Sequence, residues 1–422
     1  MLVHWIWLAT RQGLREKIAA ELVRTFLDIE AIYIAREDDY RRLPDIRPKE
    51  IEVLCDKSTD HAERIIATCR MYGIHMVSFC DAAYPERLRN IVDPPMVLYY
   101  KGCLPAFDHE ATIGIVGTRK PSVYGCKVAQ TMGFQISRCG GLVVSGMAVG
   151  IDSMATNGAL LAGHSAVGVL ACGVDVEYPA GSRDIRRELE SRGCILSEYP
   201  PGSKPTPQIF PKRNRLISGL SCGVLVVEAP ERSGALITAR HAIEQGRDVF
   251  AIPGNIDSRG SAGCNALISN GARAVRYAWD LMQEYENLFP NKVHHWAGGI
   301  DLAEALKGSV GPEWLAQRAY FPPKREPGSG SEKVTFDSPE NKEIDKSAKG
   351  AYIEKKTIRE MPPDLTDDEQ VVVRALSAEL TQVDQIIAQT GLPANQVLAA
   401  LTLLEMKGLV VRHPGKHYSL PE

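Results

Sequence analysis

The 422-residue chain has no excess of charge of either sign: 49 basic residues stand against 52 acidic ones, a net charge of −3. Global charge therefore announces neither nucleic acid nor a membrane surface, and any basic face must be local. Close cysteine pairs are missing too. The ten cysteines come no nearer to one another than the 11 positions between Cys69 and Cys80. Structural zinc sites need close ligand pairs and small secreted scaffolds need dense disulfides, so both classes are excluded. Cys139, Cys172 and Cys222 lie in apolar patterns, where a thiol acts as a small hydrophobe, and a reducing, cytoplasmic setting is expected. No apolar run approaches the roughly 20 residues that span a bilayer. The opening MLVHWIWLATRQGLREK also lacks the small-residue cleavage pattern of a signal peptide.

What is present is ordinary globular composition at a length that predicts two or three folding units. Residues 1–72 read as helical. Leu14, Ile18, Leu22 and Phe26 recur every four positions, and a second helix starts near Asp60 with Glu63 three residues on. A small helical domain, SAM-like or helix-hairpin-helix-like, is expected here, and its apolar stripe suits packing better than DNA binding. Over 73–290 strands and helices alternate. Strand-like runs occur at 74–79, 96–100, 112–116, 141–145, 166–171, 194–198, 223–229, 248–253 and 272–276. Helices are expected at 123–139, 152–162, 182–192, 213–219, 233–245 and 263–270. This βα alternation predicts an α/β fold, a doubly wound, mostly parallel, extended Rossmann-like sheet. Residues 291–360, with the Pro-, Gly- and Ser-rich stretch 321–350, read as a linker. Residues 361–422 read as three helices followed by a β-hairpin, a winged helix.

Three turns of the sheet domain follow strand C-termini, where open α/β sheets bind ligands. They are Gly117-Thr118-Arg119-Lys120, the run from Ser145 and Gly146 to Asp152, and Arg232-Ser233-Gly234-Ala235 leading to Thr238. Each can aim backbone N–H groups and a helix N-terminus at an anion. Taken singly, each is equally a tight strand-to-helix connection. None is a GxGxxG or GxxxxGK[ST] loop, so neither dinucleotide nor P-loop binding is indicated, and no cofactor or metal is expected. A fourth segment stands out by an absence. Between Glu198 and Glu228 there is no acidic residue, whereas Lys204, Lys212, Arg213 and Arg215 are basic. Phe210-Pro211-Lys212-Arg213-Asn214-Arg215 pairs an aromatic with cations, the combination that stacks a base and holds phosphates of a single strand. The same pattern is also met in a solvated basic loop whose Phe packs into the core.

IGIVGTRKPSVYG, VVSGMAVGIDSMA, Phe210–Arg215 with the Leu216-Ile217-Ser218-Gly219 that follows, and SGALITARHAIEQGRDVFAIPGN together resemble the DNA-processing protein A (DprA, or Smf) family. The likeness spans roughly 75–280. It implies a homodimer that binds single-stranded DNA entering the cell in natural transformation and loads RecA for homologous recombination, including on strands coated by single-strand-binding protein. The DNA pocket it implies uses Gly117, Thr118, Arg119, Ser145, Gly146, Phe210, Lys212, Arg213, Asn214 and Arg215, and the adjoining turns add Lys120, Ser233, Gly234 and Thr238. The winged-helix segment departs from a DNA reader, with eight acidic residues against four basic ones. Because phosphate contacts dominate DNA affinity, a protein-contact role suits it better.

The alternative is a nucleotide-binding or nucleotide-hydrolysing enzyme of the phosphoribohydrolase-like superfamily. Such enzymes carry a carboxylate just after a Gly-rich turn, whereas Ser233–Ile243 contains no acid. Asp152, Glu198, Glu228 and Asp257 lie near strand ends, where lone carboxylates act as caps or ion-pair partners. No catalytic residue is assigned.

Overall fold

Apolar runs such as Thr112–Val116 and Gly223–Val226 can be buried on both sides only within a sheet covered by helices on each face. The computed structural model places them there. It describes residues 1–296, 365–376, 381–392, 394–407, 409–413 and 417–420. By contacts the chain divides into two compact units, Met1–Pro322 and Pro323–Glu422. From residue 297 onward, the linker expected at 291–360 lies outside the described residues.

The first unit is built on nine strands: β1 (His75–Ser78), β2 (Val97–Gly102), β3 (Thr112–Val116), β4 (Leu142–Ser145), β5 (Ala166–Val169), β6 (Cys194–Ser197), β7 (Gly223–Val226), β8 (Asp248–Ala251) and β9 (Arg273–Ala274). Their order is β1-β2-β6-β5-β4-β3-β7-β8-β9. β1 and β2 are antiparallel additions and the remaining pairings are parallel. The chain leaves β3 toward β4 on one side and meets β7 on the other, so the order of winding reverses at β3. Side chains alternate between two cores. Ile113, Ile115, Val143 and Leu225 face Phe134 and Ala155, on the helices Val123–Arg138 and Ile151–Leu161. Val116, Val144, Val224 and Val226 face Leu216, Ile217 and Ala239, on the helices Ile209–Leu220 and Gly234–Glu244.

The N-terminal helices do not stand apart from this sheet. Trp5, Trp7, Ile18 and Leu22 belong to one buried cluster with Val97 and Tyr99 of β2. Ile18 and Leu22 are fully buried, and Leu14 and Phe26 pack against them, so the four-residue stripe is an internal face. Helix Asp60–Met71 has Thr59 as its N-cap residue, one position before the Asp60 its sequence suggests; the Thr59 hydroxyl donates to the Glu63 carboxylate at 2.9 Å and caps no backbone N–H.

The second unit contains the helices Asp367–Arg374, Val383–Thr390 and Ala394–Met406 around Val372, Leu376, Ile386, Val397, Leu401 and Leu404. Thr366 and Glu369 exchange capping-box hydrogen bonds at its start. The wing has three strands, not two: β10 (Thr381–Gln382) pairs with β12 (His417–Ser419), which also pairs with β11 (Val411–His413). Lys407, at the end of the third helix, lies 3.0 Å from the buried Glu369 carboxylate.

One helix differs from expectation in a way that matters. The helix expected over 213–219 begins at Ile209, so the Phe210–Arg215 segment is its first half and not a loop. Pro211 does not prevent this, because N–H groups in the first turn have no intrahelical partner to lose. Arg215 anchors the helix from below. Its Nε donates to Asp93 at 2.9 Å and its Nη2 to Glu198 at 2.7 Å, just beyond β6. Burial opposes the charged form, but Glu198 and Asp93 outweigh it and hold Arg215 above the ordinary guanidinium range. Removing one partner of a buried pair leaves the other uncompensated. Arg215→Ala should therefore lose about 3–5 kcal/mol of unfolding free energy, read by chemical denaturation, and adding Glu198→Gln should recover part of the loss.

Candidate functional site

The reversal of winding at β3 opens a crevice where the C-terminal ends of β3 and β7 part, the position at which doubly wound sheets hold ligands. A cleft of about 320 Å³ lies there. All three sequence turns reach it, together with the first turns of helix Ile209–Leu220. Gly117, Thr118 and Arg119 come from the first turn, Ala148 and Asp152 from the second, and Ser233, Gly234 and Thr238 from the third. Phe210, Arg213, Asn214 and Ile217 come from the helix, and their spacing puts them on one face. Lys120, Ser145, Gly146, Lys212 and Arg215 are outside the lining. Arg232 is inside it and exposed, although it is missing from the expected set. Its place beside Ser233 in the third turn was the available signal.

Helix Ile209–Leu220 holds the turns in register through consecutive side chains. Arg213 is 3% exposed. Its Nη1 donates to the carbonyl of Gly146 at 2.6 Å and to that of Val169. Asn214 donates from Nδ2 to the carbonyl of Gly234 at 3.2 Å, tying the helix to the third turn. Asp152 braces the second turn from the other side: its Oδ2 accepts from the Gly146 N–H at 3.1 Å and the Ala148 N–H at 3.4 Å. Burial pushes the Asp152 carboxyl up to about 6, against the pull of Arg213, and burial also lowers Arg213. Gly146 lies between the two. A Cβ there would come within 2.6 Å of both Arg213 Nη2 and Asp152 Oδ2, so only glycine fits.

Thr118 closes the first turn against β7, its N–H donating to the Glu228 carbonyl at 2.7 Å. The Thr118 hydroxyl accepts from the Lys120 N–H at 3.2 Å. Ser145 donates to the Ile115 carbonyl at 2.7 Å and is fully buried, so its hydroxyl is structural. Ser233 caps helix Gly234–Glu244, accepting from the Ala235 N–H at 3.3 Å. The strand-end carboxylates serve as supports: Asp152 as above, Glu198 under Arg215, and Glu228 accepting from the Ser122 N–H and hydroxyl, each at 3.0 Å.

The open side of the cleft is aromatic and cationic. The Arg119 guanidinium lies 4.7 Å from the centroid of Phe210, which in turn meets Tyr178 at 5.4 Å. Phe210 is half-buried, with Tyr178 and the Arg119 guanidinium both against its ring. Three arginines (119, 213 and 232) and one carboxylate, Asp152, line the cleft, leaving it net positive in a chain that is not. Lys212, exposed to the side, is bonded at 2.7 Å to Glu16 in the first turn of the N-terminal helix Glu16–Phe26. Burial tends to raise Glu16, but the hydrogen bond from Lys212 and the charges of Lys212 and Arg215 overcome this and lower it. Nothing within the 209–220 segment itself announces that partner.

Comparison with known proteins identifies the family. Residues 75–286 match the family model described as DNA recombination-mediator protein A, and residues 359–416 match the DprA winged helix domain. Protein Smf of Synechocystis is 37% identical over 341 residues, 80% of this chain and 78% of the relative. DNA processing protein DprA of Bacillus subtilis is 42% identical over 221 residues, 52% of this chain and 74% of the relative. The X-ray structure of DNA processing protein A from Streptococcus pneumoniae superposes with a TM-score of 0.60 at 32% identity, covering 67% of this chain and 98% of that one. The cleft between β3 and β7, the helix that frames it and the winged helix are thus parts of a DNA-processing protein, and the chain belongs to the DNA-processing protein A (DprA/Smf) family.

Proposed function

We propose that this protein binds single-stranded DNA in the cleft at the β3–β7 switch point and loads RecA onto it. One observation carries the reading: Phe210, backed by Tyr178 and covered by Arg119, stands at the mouth of a net-positive cleft bordered by helix N-termini. A half-exposed aromatic ring suits stacking with a base once Arg119 turns from it to the backbone, and Arg119 and Arg232 suit the neighbouring phosphates. The RecA partner, the single-strand-binding-protein-coated substrate, the dimer and the cytoplasmic setting come from the family resemblance. Two copies acting on one strand would raise effective concentration and give cooperative complexes from modest single-site affinity.

The hydrolase alternative has less support. Among the described residues Asp152 is the one carboxylate lining the cleft, and it is committed to the Gly146 and Ala148 N–H groups. Paired carboxylates are what general acid–base work at a glycosidic bond requires. For the winged helix we favour a protein contact, since Lys407 is already engaged with Glu369.

Arg119→Ala and Phe210→Ala should separate the two kinds of contact. The first should weaken oligonucleotide binding and flatten its salt slope by about 0.7 per lost phosphate contact. The second should cost on the order of 1–3 kcal/mol with the slope unchanged, because stacking releases no counterions. Fluorescence anisotropy over a salt series reads both. Glu16→Gln, by freeing Lys212 from an exposed pair, should tighten binding by about 0.2–1 kcal/mol, up to about fivefold. The loading role is tested by RecA filament formation on DNA coated with single-strand-binding protein. Acceleration by the wild type and not by Arg119→Ala is expected; no acceleration with RecA of the same organism would reject loading.

A further inference from the structure

A second cavity, of about 510 Å³, lies where the chain leaves β8. Ser122 and Tyr124, at the start of helix Val123–Arg138, line it together with Pro253, Asn255, Ser258 and Ser261 of the turn after β8. Two contacts tie it to the DNA cleft. Glu228, two residues before the Pro230 of the cleft wall, accepts from Ser122, and the Ala229 carbonyl accepts from the Gly263 N–H at 2.8 Å, in the first turn of the eight-residue helix Ala262–Ser269. The walls are held in place before any ligand arrives. Asn265 grips Gly254 at both ends, its Oδ1 accepting from the N–H at 3.2 Å and its Nδ2 donating to the carbonyl at 3.1 Å. The Tyr124 hydroxyl donates to the Pro253 carbonyl at 3.2 Å.

Ser261 is the N-cap residue of helix Ala262–Ser269, yet its hydroxyl caps no N–H. Its backbone is helical, with φ −98° and ψ −10°, and not the extended form that turns a capping side chain onto the first turn. A Cβ at Gly254 would lie 2.1 Å from Ser261 Oγ, so the hydroxyl sits against the Gly254 backbone in the cavity wall. Ser261 is 8% exposed, and among the described residues its hydroxyl makes no hydrogen bond, although it is not sealed from the cavity. The side chains of Ser258, half-buried, and Asn255, exposed, also make none. Three unspent polar side chains and a helix N-terminus thus converge on one space.

The chemistry of the occupant follows from these donors. Hydroxyls, a carboxamide and a helix N-terminus suit an anion, and such neutral groups make many of the phosphate contacts in protein–DNA complexes. No charged side chain lines the cavity: Glu228 lies beneath Ser122 and is engaged there, and Asp257 and Arg259, of opposite sign, stand outside the lining. A singly charged phosphodiester therefore matches it better than a dianion. Neighbouring strands lie about 4.8 Å apart, so the β8 side is one strand step from β7 and within reach of an adjoining nucleotide. We infer that this cavity is a phosphodiester subsite, in which Asn255, Ser258 and Ser261 hold a backbone phosphate of the strand whose base stacks on Phe210. The strand then crosses the end of β7 toward β8. The inference rests on the single-strand reading for the source of the phosphate, but not for the chemistry of the pocket.

The test uses the full chain and labelled hexathymidylate, intact or carrying one neutral methylphosphonate linkage stepped along its length. Wild-type protein should lose about tenfold in affinity at one linkage. That loss should persist in Arg119→Ala and vanish when Ser261→Ala and Asn255→Ala are combined. The double variant should bind the intact strand about tenfold more weakly with its salt slope unchanged, because no lysine or arginine is removed. Its melting temperature should hold, because neither side chain spends a hydrogen bond in the free protein. If the double variant proves poorly folded, Ser258→Ala reads the same subsite. Equal losses at every linkage in wild type and variant would overturn the subsite. A variant-sensitive loss seen with a stepped abasic site and not with methylphosphonate would place a base in the cavity and overturn the phosphate assignment. In a second arm, inorganic phosphate is added alone at millimolar concentration. A thermal shift in wild type that is absent in the double variant, without any effect on the strand, would identify free anions as the source and overturn the strand assignment. Failure of the intact strand to bind wild type would instead remove the single-strand reading; a phosphate shift would then uphold the pocket as an anion site, and its absence would overturn it.

Discussion

The site depends on one buried guanidinium. Arg213 reaches from the helix Ile209–Leu220 to the carbonyls of Gly146, after β4, and Val169, at the end of β5. These contacts fix where the helix begins relative to the sheet edge, and so where Phe210 stands relative to Arg119. Hydrogen bonds to a charged donor are stronger than neutral ones, and in a low-dielectric interior an unmade one is costly. The arrangement is therefore close to all-or-none: the second turn, the helix and the cleft form together.

Four successive residues divide the work around the helix circumference. Lys212 points to the N-terminal helices, Arg213 to the second turn, Asn214 to the third, and Arg215 to Glu198 and Asp93. Arg213 and Arg215 thus spend their charge inside the protein, and it is Arg119 and Arg232, from other turns, that face the open cleft. A segment that looks like a basic DNA-binding stretch is largely a clamp, and on the proposed reading DNA binding falls to Phe210 and the loops it positions. The contact of Lys212 with Glu16 ties the helix Ile209–Leu220 to the N-terminal helices through an exposed ion pair.

Much of the fold was legible because it is written locally. Most of the nine strands are short apolar runs between helical stretches, and the observed strands fall within or beside the expected runs. The three turns were legible for the same reason, as glycines and hydroxyls at strand ends. The start of the helix at Ile209 was not, since Pro211 and the glycine- and proline-rich run before it mask helical periodicity. Nor could spacing reveal the partners of the basic residues: Glu198 is 17 positions from Arg215, Gly146 is 67 from Arg213, Asp93 is 122 from Arg215 and Glu16 is 196 from Lys212. Burial of a charge depends on such distant groups, and so local sequence overstated how much of the basic segment is free.

The central claim is that a DNA strand occupies the cleft between β3 and β7 with a base against Phe210. Photocrosslinking tests this most directly. An oligonucleotide carrying 5-iododeoxyuridine would be irradiated in complex with the full chain and the attached peptide mapped by mass spectrometry. Attachment at Phe210 or Tyr178, lost in Phe210→Ala, is the predicted result. Attachment confined to residues 361–422, with the 209–220 helix unlabelled, would contradict the account and move the DNA site to the winged helix.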